Sequence, residues 1–164
     1  MSDPQPLIRL FTAHSRALVL YARQWLDASA AEDAVQDVFA RLVERGTLEP
    51  SVPLLFASVR NAAIDAARAT SARRRRERAA AEDADAWFER RDDDLIDADA
   101  AGVALRNLPE PRREAVVLRL WAGPGFEQIA ETLGCAVSTA FAHYRAGLTG
   151  IRARLEQSCR TKTS

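Results

Sequence analysis

A chain of 164 residues, nearly half of them apolar and with no net charge at neutral pH, can close one ordinary domain or two small ones and is poorly suited to disorder throughout. No stretch approaches the roughly 18 apolar residues that a membrane span needs, and the Met1 end has no apolar run of the signal-peptide kind. Two cysteines outside any CxxC and two isolated histidines argue against a disulfide framework or a metal cage, so the expectation is a reduced, cytoplasmic protein without membrane insertion, metal or cofactor.

The neutral total hides a pattern. Residues 1–78 sum to +3, residues 79–105 to −7 and residues 106–164 to +4. Two basic lobes flank an acidic strap, and such lobes can face nucleic acid or simply be solvated surface. Beta-branched residues are sparse while Ala, Leu, Arg and Glu abound, which favours an all-α fold.

The first lobe, residues 1–78, reads as three helices. Leu7 to Leu26 carries Leu7, Leu10, Phe11, Leu18, Tyr21, Ala22 and Trp25 at helical spacing. The second helix opens on Ser29 and Glu32, the S-x-x-E arrangement of a capping box, and its predicted stripe is Val35, Val38, Phe39, Leu42 and Val43. Arg45-Gly46 ends it. Pro53 suits the first turn of a third helix, which runs through Leu55, Val59, Ala63 and Ala67 toward Arg73-Arg74-Arg75-Arg76.

Residues 79–97 read as an acidic linker, with local helix expected around Trp87 and Phe88. The second lobe, residues 98–164, begins with a helix over Ala98–Asn107, broken by Leu108-Pro109, and continues from Glu110 to Trp121. Gly123-Pro124-Gly125 is a firm stop. A short helix with Phe126, Ile129, Ala130 and Leu133, a turn at Gly134, and a last helix capped by Ser138 and running to about Leu155 complete the lobe.

Short helix, glycine turn and long helix together have helix-turn-helix spacing. Ile129, Ala130, Leu133 and Val137 would pack inside the corner, and Tyr144, Leu148, Ile151 and Leu155 would anchor the second helix. Ser138 to Arg145 would then face a major groove; the alternative is an ordinary helical hairpin. In the first lobe, Asn61, Asp65 and Arg68 share one face of the third helix, followed by the basic run. An amide with arginines could read a base and hold phosphates, whereas an Asp65–Arg68 pair on a solvated face is the plainer reading. The polar face of the second helix (Asp33, Gln36, Asp37, Arg41, Glu44) is by itself only that of an amphipathic helix. No nucleophile–base cluster and no phosphate-cradling glycine loop occurs, so neither catalysis nor a small-molecule substrate is expected.

Four blocks carry a resemblance. Ala31-Glu32-Asp33-Ala34-Val35-Gln36-Asp37-Val38-Phe39 is similar to the polymerase-binding helix of extracytoplasmic-function sigma factors, and Val59 to Arg68 is similar to their next segment, with core R-N-x-x-x-D-x-x-R. Leu105-Arg106-Asn107-Leu108-Pro109 with Arg113 to Arg119 resembles the opening of sigma domain four, and Gln128 to Glu131 with Leu148 to Arg152 resembles its helix-turn-helix. The blocks fall in the family's order over roughly residues 7–157.

What the resemblance implies is two small helical domains, a region 2 three-helix bundle and a region 4 helix-turn-helix, joined by the acidic linker. The protein would bind core RNA polymerase through Asp33, Gln36, Asp37, Phe39 and Arg41. It would capture the melted −10 strand through Asn61, Asp65, Arg68, Arg73, Arg74 and Arg75, and read −35 duplex through Ser138, Thr139, Phe141, Ala142, His143 and Arg145. An anti-sigma factor is an expected further partner. The rival readings are a helix-turn-helix regulator that works without polymerase, and a degenerate sigma factor that titrates an anti-sigma protein.

Two positions depart from the family's pattern. Pro53-Leu54-Leu55-Phe56 stands where relatives often carry Trp, so a different side chain fills that part of the core. Where relatives commonly read T-V-K-S-R, this chain reads Thr139-Ala140-Phe141-Ala142-His143. Phe141 is expected to lean into the space above Ala140 as a core residue; exposed, it would instead meet a thymine methyl. Gly147 and Gly150 each cost about 1 kcal/mol relative to Ala, so this helix is expected to be loose.

Overall fold

A computed structural model describes residues 4–77 and 98–162. The chain divides into two compact units, Met1–Asp85 and Ala86–Ser164. Among the described residues there are helices and connecting turns and no strand. The expected linker over 79–97, including Trp87 and Phe88, lies outside the described residues.

The first unit holds α1 (Gln5–Ala22), α2 (Ala28–Glu44) and α3 (Val52–Glu77), each packed on the other two. Helix α1 stops four residues earlier than its apolar spacing suggests. Gln24 N–H donates to the Tyr21 carbonyl and Trp25 N–H to the Ala22 carbonyl, so the chain tightens into a turn while Trp25 still packs edge-on against Tyr21, centroids 5.4 Å apart. Tyr21 also meets Phe56 at 5.5 Å, and Phe56 and Leu55 are fully buried, which identifies the side chains that fill the space near the start of α3.

The cap of α2 differs from the expectation. Asp27, not Ser29, stands at its N-cap, its carboxylate accepting from Ala30 N–H at 2.8 Å. The buried stripe is Ala31, Ala34, Val35, Val38, Phe39 and Leu42, while Val43, expected in it, is 55% exposed. The stripe is centred nearer the two alanines, whose short side chains allow close approach, and Val43 lies beyond its edge. At the far end Gly46 takes a left-handed conformation, with Thr47 N–H bonded to the Leu42 carbonyl and Gly46 N–H to that of Val43. Ser51 then accepts from Leu54 N–H at 3.3 Å, and buried Pro53 sits in the first turn of α3.

The second unit contains α4 (Ala98–Arg106), α5 (Glu110–Val117), a π-helical turn (Leu118–Ala122), α6 (Phe126–Leu133) and α7 (Val137–Lys162). Its core gathers Ala104, Leu105, Leu108, Ala115, Val116, Val117, Leu118, Ile129, Ala130 and Ala140. Helix α7 extends well past Leu155, and its seat is not the expected one. Leu148 is exposed and Tyr144, Ile151 and Leu155 are only half-buried, whereas Ala140 and Gly147 are buried. A Cβ on Gly147 would lie 2.6 Å from Val116 Cγ2 and 3.1 Å from the Arg112 carbonyl oxygen; one on Gly150 would lie 2.8 Å from Leu108 Cδ2. Gly147, expected to loosen the helix, is the notch that lets α7 lie directly on α5, and Gly150 lies against the Leu108 side chain that precedes α5. Glu114 is buried on α5, and burial pushes the neighbouring Arg113 guanidinium below its ordinary value, partly offset by Glu110 and Glu114.

Candidate nucleic-acid interface

The exposed face of α2 is set by its own stripe. With Val35, Val38, Phe39 and Leu42 turned inward, Asp33, Gln36, Asp37 and Arg41 are all exposed. Phe39 does not join them: it is 7% exposed and meets Phe11 edge-on at 5.0 Å. Of the five residues expected to dock on polymerase, four share an accessible face, and the fifth packs α1 against α2.

On α3 the buried positions Leu55, Phe56, Val59 and Ala63 leave Asn61, Asp65 and Arg68 exposed on the opposite side. Among the described residues no ion pair joins Asp65 to Arg68, so the amide, carboxylate and guanidinium all face solvent. Arg73 is exposed further along. The helical backbone continues through Arg74 and Arg75, whose side chains lie outside the described residues.

In the second unit, α6 ends at Gly134, which is left-handed, with Cys135 N–H bonded to the Ala130 carbonyl at 3.0 Å. Only Gly134, Cys135 and Ala136 separate α6 from α7. Ile129 and Ala130 pack inside the corner as expected. Thr132 is buried with them, its hydroxyl donating to the Gln128 carbonyl at 2.8 Å, while Leu133 is half-buried and Val137 faces out. The last helix already begins at Val137, so Ser138 lies in its first turn and does not cap it.

The start of α7 is an open face. Ser138, Thr139, Phe141, Ala142 and Arg145 are exposed and His143 is half-buried, while Ala140 anchors the helix from behind. Phe141 is 44% exposed, which overturns its expected place in the core: Ala140 is fully buried while the Phe141 ring turns out toward Phe126. The Phe141 ring stands edge-on to Phe126 with centroids 5.1 Å apart, and Phe126 also meets Tyr144 at 5.5 Å. The Arg119 guanidinium carbon lies 5.3 Å over Phe126 and that of Arg145 lies 5.8 Å over Phe141. Arg119 is fixed further by donating to the Pro124 carbonyl at 3.1 Å. Phe126 and Arg119 stand in the sequence as helix and block residues, without a site role of their own. Their only signal there is three aromatic residues (Phe126, Phe141, Tyr144) gathered in a chain with few of them.

No membrane-length apolar helix occurs among the described residues. Nor does any group of His, Cys, Asp and Glu there suit a metal ion.

Helix α6, the tight turn at Gly134 and helix α7 have helix-turn-helix geometry. Residues 99–149, just under a third of the chain, match the family model for sigma-70 region 4. Among solved structures, the sigma factor RpoE from Bartonella quintana, crystallised with the anti-sigma factor NepR, has the same fold: 21% identity over 91% of this chain and 95% of that one, with a TM-score of 0.72. No curated protein matches the chain.

Proposed function

We propose that the protein is an alternative sigma factor of the extracytoplasmic-function kind. It binds core RNA polymerase, carries it to a set of promoters and promotes their melting. One observation carries the reading: residues 99–149 match sigma-70 region 4 and include the open face of α7, and a three-helix unit precedes them in sequence, in a chain whose fold follows that of a sigma factor. The exposed Asp33, Gln36, Asp37 and Arg41 face of α2 is the polymerase contact, and buried Phe39 supports it from behind. Asn61 hydrogen-bonds an extruded base of the non-template strand, while Arg68, Arg73, Arg74 and Arg75 track its phosphates. Asp65, exposed on the same face and unpaired with Arg68 in the free protein, comes to orient Arg68 once the strand is bound. Ser138, Thr139, Phe141, Ala142, His143 and Arg145 meet −35 duplex.

This chemistry is binding, without a catalysed step, in the cytoplasm where polymerase works. The acidic residues of 79–97 would thread the basic interior of polymerase in place of nucleic acid. RpoE was crystallised with an anti-sigma factor, and a protein of that class is the expected antagonist here. Transcription of a genomic promoter library by core polymerase, with and without the protein, tests the reading. New start sites that depend on the protein are expected; their absence, with DNA bound by the protein alone, would make it a conventional regulator.

A further inference from the structure

The aromatic and cationic ladder at the start of α7 does more than close a corner. Ile129, Ala130 and Ala140 already seal the inside of the helix-turn-helix. Phe126, Phe141, Arg119 and Arg145 lie outside that seal. Phe141 follows buried Ala140 by one residue, about 100° round the helix, so its ring borders the open surface of Ser138, Thr139 and Ala142. Phe126 meets it at an interplanar angle of 87°, which holds the ring in one orientation while leaving 44% of the residue accessible. Arg145 covers one side of the ring, and Arg119, bonded to Pro124, covers Phe126.

A phenyl ring has neither donor nor acceptor. Placed against a major groove it desolvates whatever it covers, and the amino groups, carbonyls and ring nitrogens of the base edges would lose water without compensation. The C5 methyl of thymine is the one apolar group there. The flanking guanidiniums suit the surface to a polyanion, and each keeps donors for phosphate beyond its ring contact.

We propose that Phe141 is a specificity-determining residue that selects thymine, through its methyl, in the duplex read by α7, and that Phe126 is the positioning residue that fixes the Phe141 ring. The inference deepens the sigma-factor reading and rests on it.

The test uses holoenzyme reconstituted from core polymerase and the full chain. Upstream sequences are selected from a randomised duplex library, and the selected duplex is remeasured with single thymines replaced by deoxyuridine, which lacks only the methyl. At one position uracil should weaken binding about three- to fivefold, the worth of one buried methyl. Phe141→Ala should bind the thymine and uracil duplexes equally. Phe141→Leu, which keeps apolar surface and a stable helix, should retain part of the difference and serves if the alanine variant fails to fold. Phe126→Leu should shrink the difference without abolishing upstream binding, a change in selectivity that mere loss of fold would not give. Uracil and thymine bound alike at every selected position, or discrimination intact in Phe141→Ala, would overturn the inference alone. Failure to select any upstream sequence would overturn the DNA-reading role of the second unit and the inference with it.

Discussion

Replacing Gly147 by alanine sets two effects of opposite sign against each other. Alanine is favoured over glycine inside a helix by about 1 kcal/mol, so propensity alone predicts a more stable α7. The structure predicts the reverse. The new methyl would sit 2.6 Å from Val116 Cγ2, against about 3.5–4.0 Å for carbon atoms in comfortable contact, and 3.1 Å from the Arg112 carbonyl oxygen. Val116 is fully buried, and valine in a helix has essentially one rotamer, so it cannot swing aside. Helices α5 and α7 would have to part by about 1 Å, and overpacking of this kind costs about 1–3 kcal/mol, occasionally more. After the propensity gain, a net loss of up to about 2 kcal/mol is expected, or tenfold in the opening equilibrium for each ~1.4 kcal/mol. Hydrogen exchange of α7 amides reads this locally, without mixing in the first unit. Gly150→Ala is the internal control: its close neighbour is only the end of the Leu108 side chain, which can turn, so its net effect should be near zero. Adding Val116→Ala to Gly147→Ala should make the pair less harmful than the two singles summed, with about 0.5 kcal/mol or more of coupling. A Gly147→Ala protein with slower exchange in α7 than the wild type would refute the notch.

On α2, Asp33→Arg with Asp37→Arg should weaken binding to core polymerase while the far-UV spectrum stays unchanged, since exposed charges contribute only about 0–1 kcal/mol each to stability; unaltered affinity would remove this face as the docking site. Asn61→Ala should lower open-complex formation more than polymerase binding, by the roughly 1–3 kcal/mol of one base contact, and a premelted −10 bubble should not restore it. Asp27→Ala removes the cap of α2 and should cost about 1 kcal/mol in thermal unfolding of the first unit; an unchanged Tm would show that solvent serves Ala30 N–H equally well. Neutralising Asp92, Asp93 and Asp94 to Asn should raise nonspecific DNA binding at low salt, with the gain vanishing as salt is added.

The sequence speaks most clearly where side chains are buried at regular intervals. The all-α class, the stop at Gly46, the break at Leu108-Pro109 and the turn at Gly134 all follow from periodicity and from residues that suit one backbone conformation. Caps were less legible because several residues near a helix start can serve. Asp27 and Ser29 are both good N-caps, and only the coordinates show which carboxylate or hydroxyl meets a free N–H. The seating of α7 is hidden in the sequence for a related reason. Large apolar residues at Tyr144, Leu148, Ile151 and Leu155 draw the eye as an anchor, but helices approach most closely over the smallest residues, and Ala140 and Gly147 carry no apolar weight in a periodicity count.

The candidate site was legible in a different way. Asp33, Asn61 and Arg68 stand exposed, and nothing in spacing separates a functional polar face from a merely solvated one; resemblance singled them out, and burial shows them accessible. The recognition helix lies beyond both kinds of reading, because it departs from the family's pattern at the positions that matter most. A lost basic residue at Phe141 suggests a weak upstream contact and a promoter choice left mainly to the −10 region. That inference treats recognition as charge alone. Charge supplies affinity that every DNA sequence shares, whereas selectivity needs a surface that some base edges satisfy and others do not. In the proposed reading, a ring held by Phe126 and bordered by Arg119 and Arg145 would supply both parts, a sequence-blind rim and an apolar reader. If α7 reads upstream duplex as proposed, a fixed phenyl ring in place of a flexible cation at its start would lower the salt-dependent share of that binding and leave room for a sharper preference among base pairs.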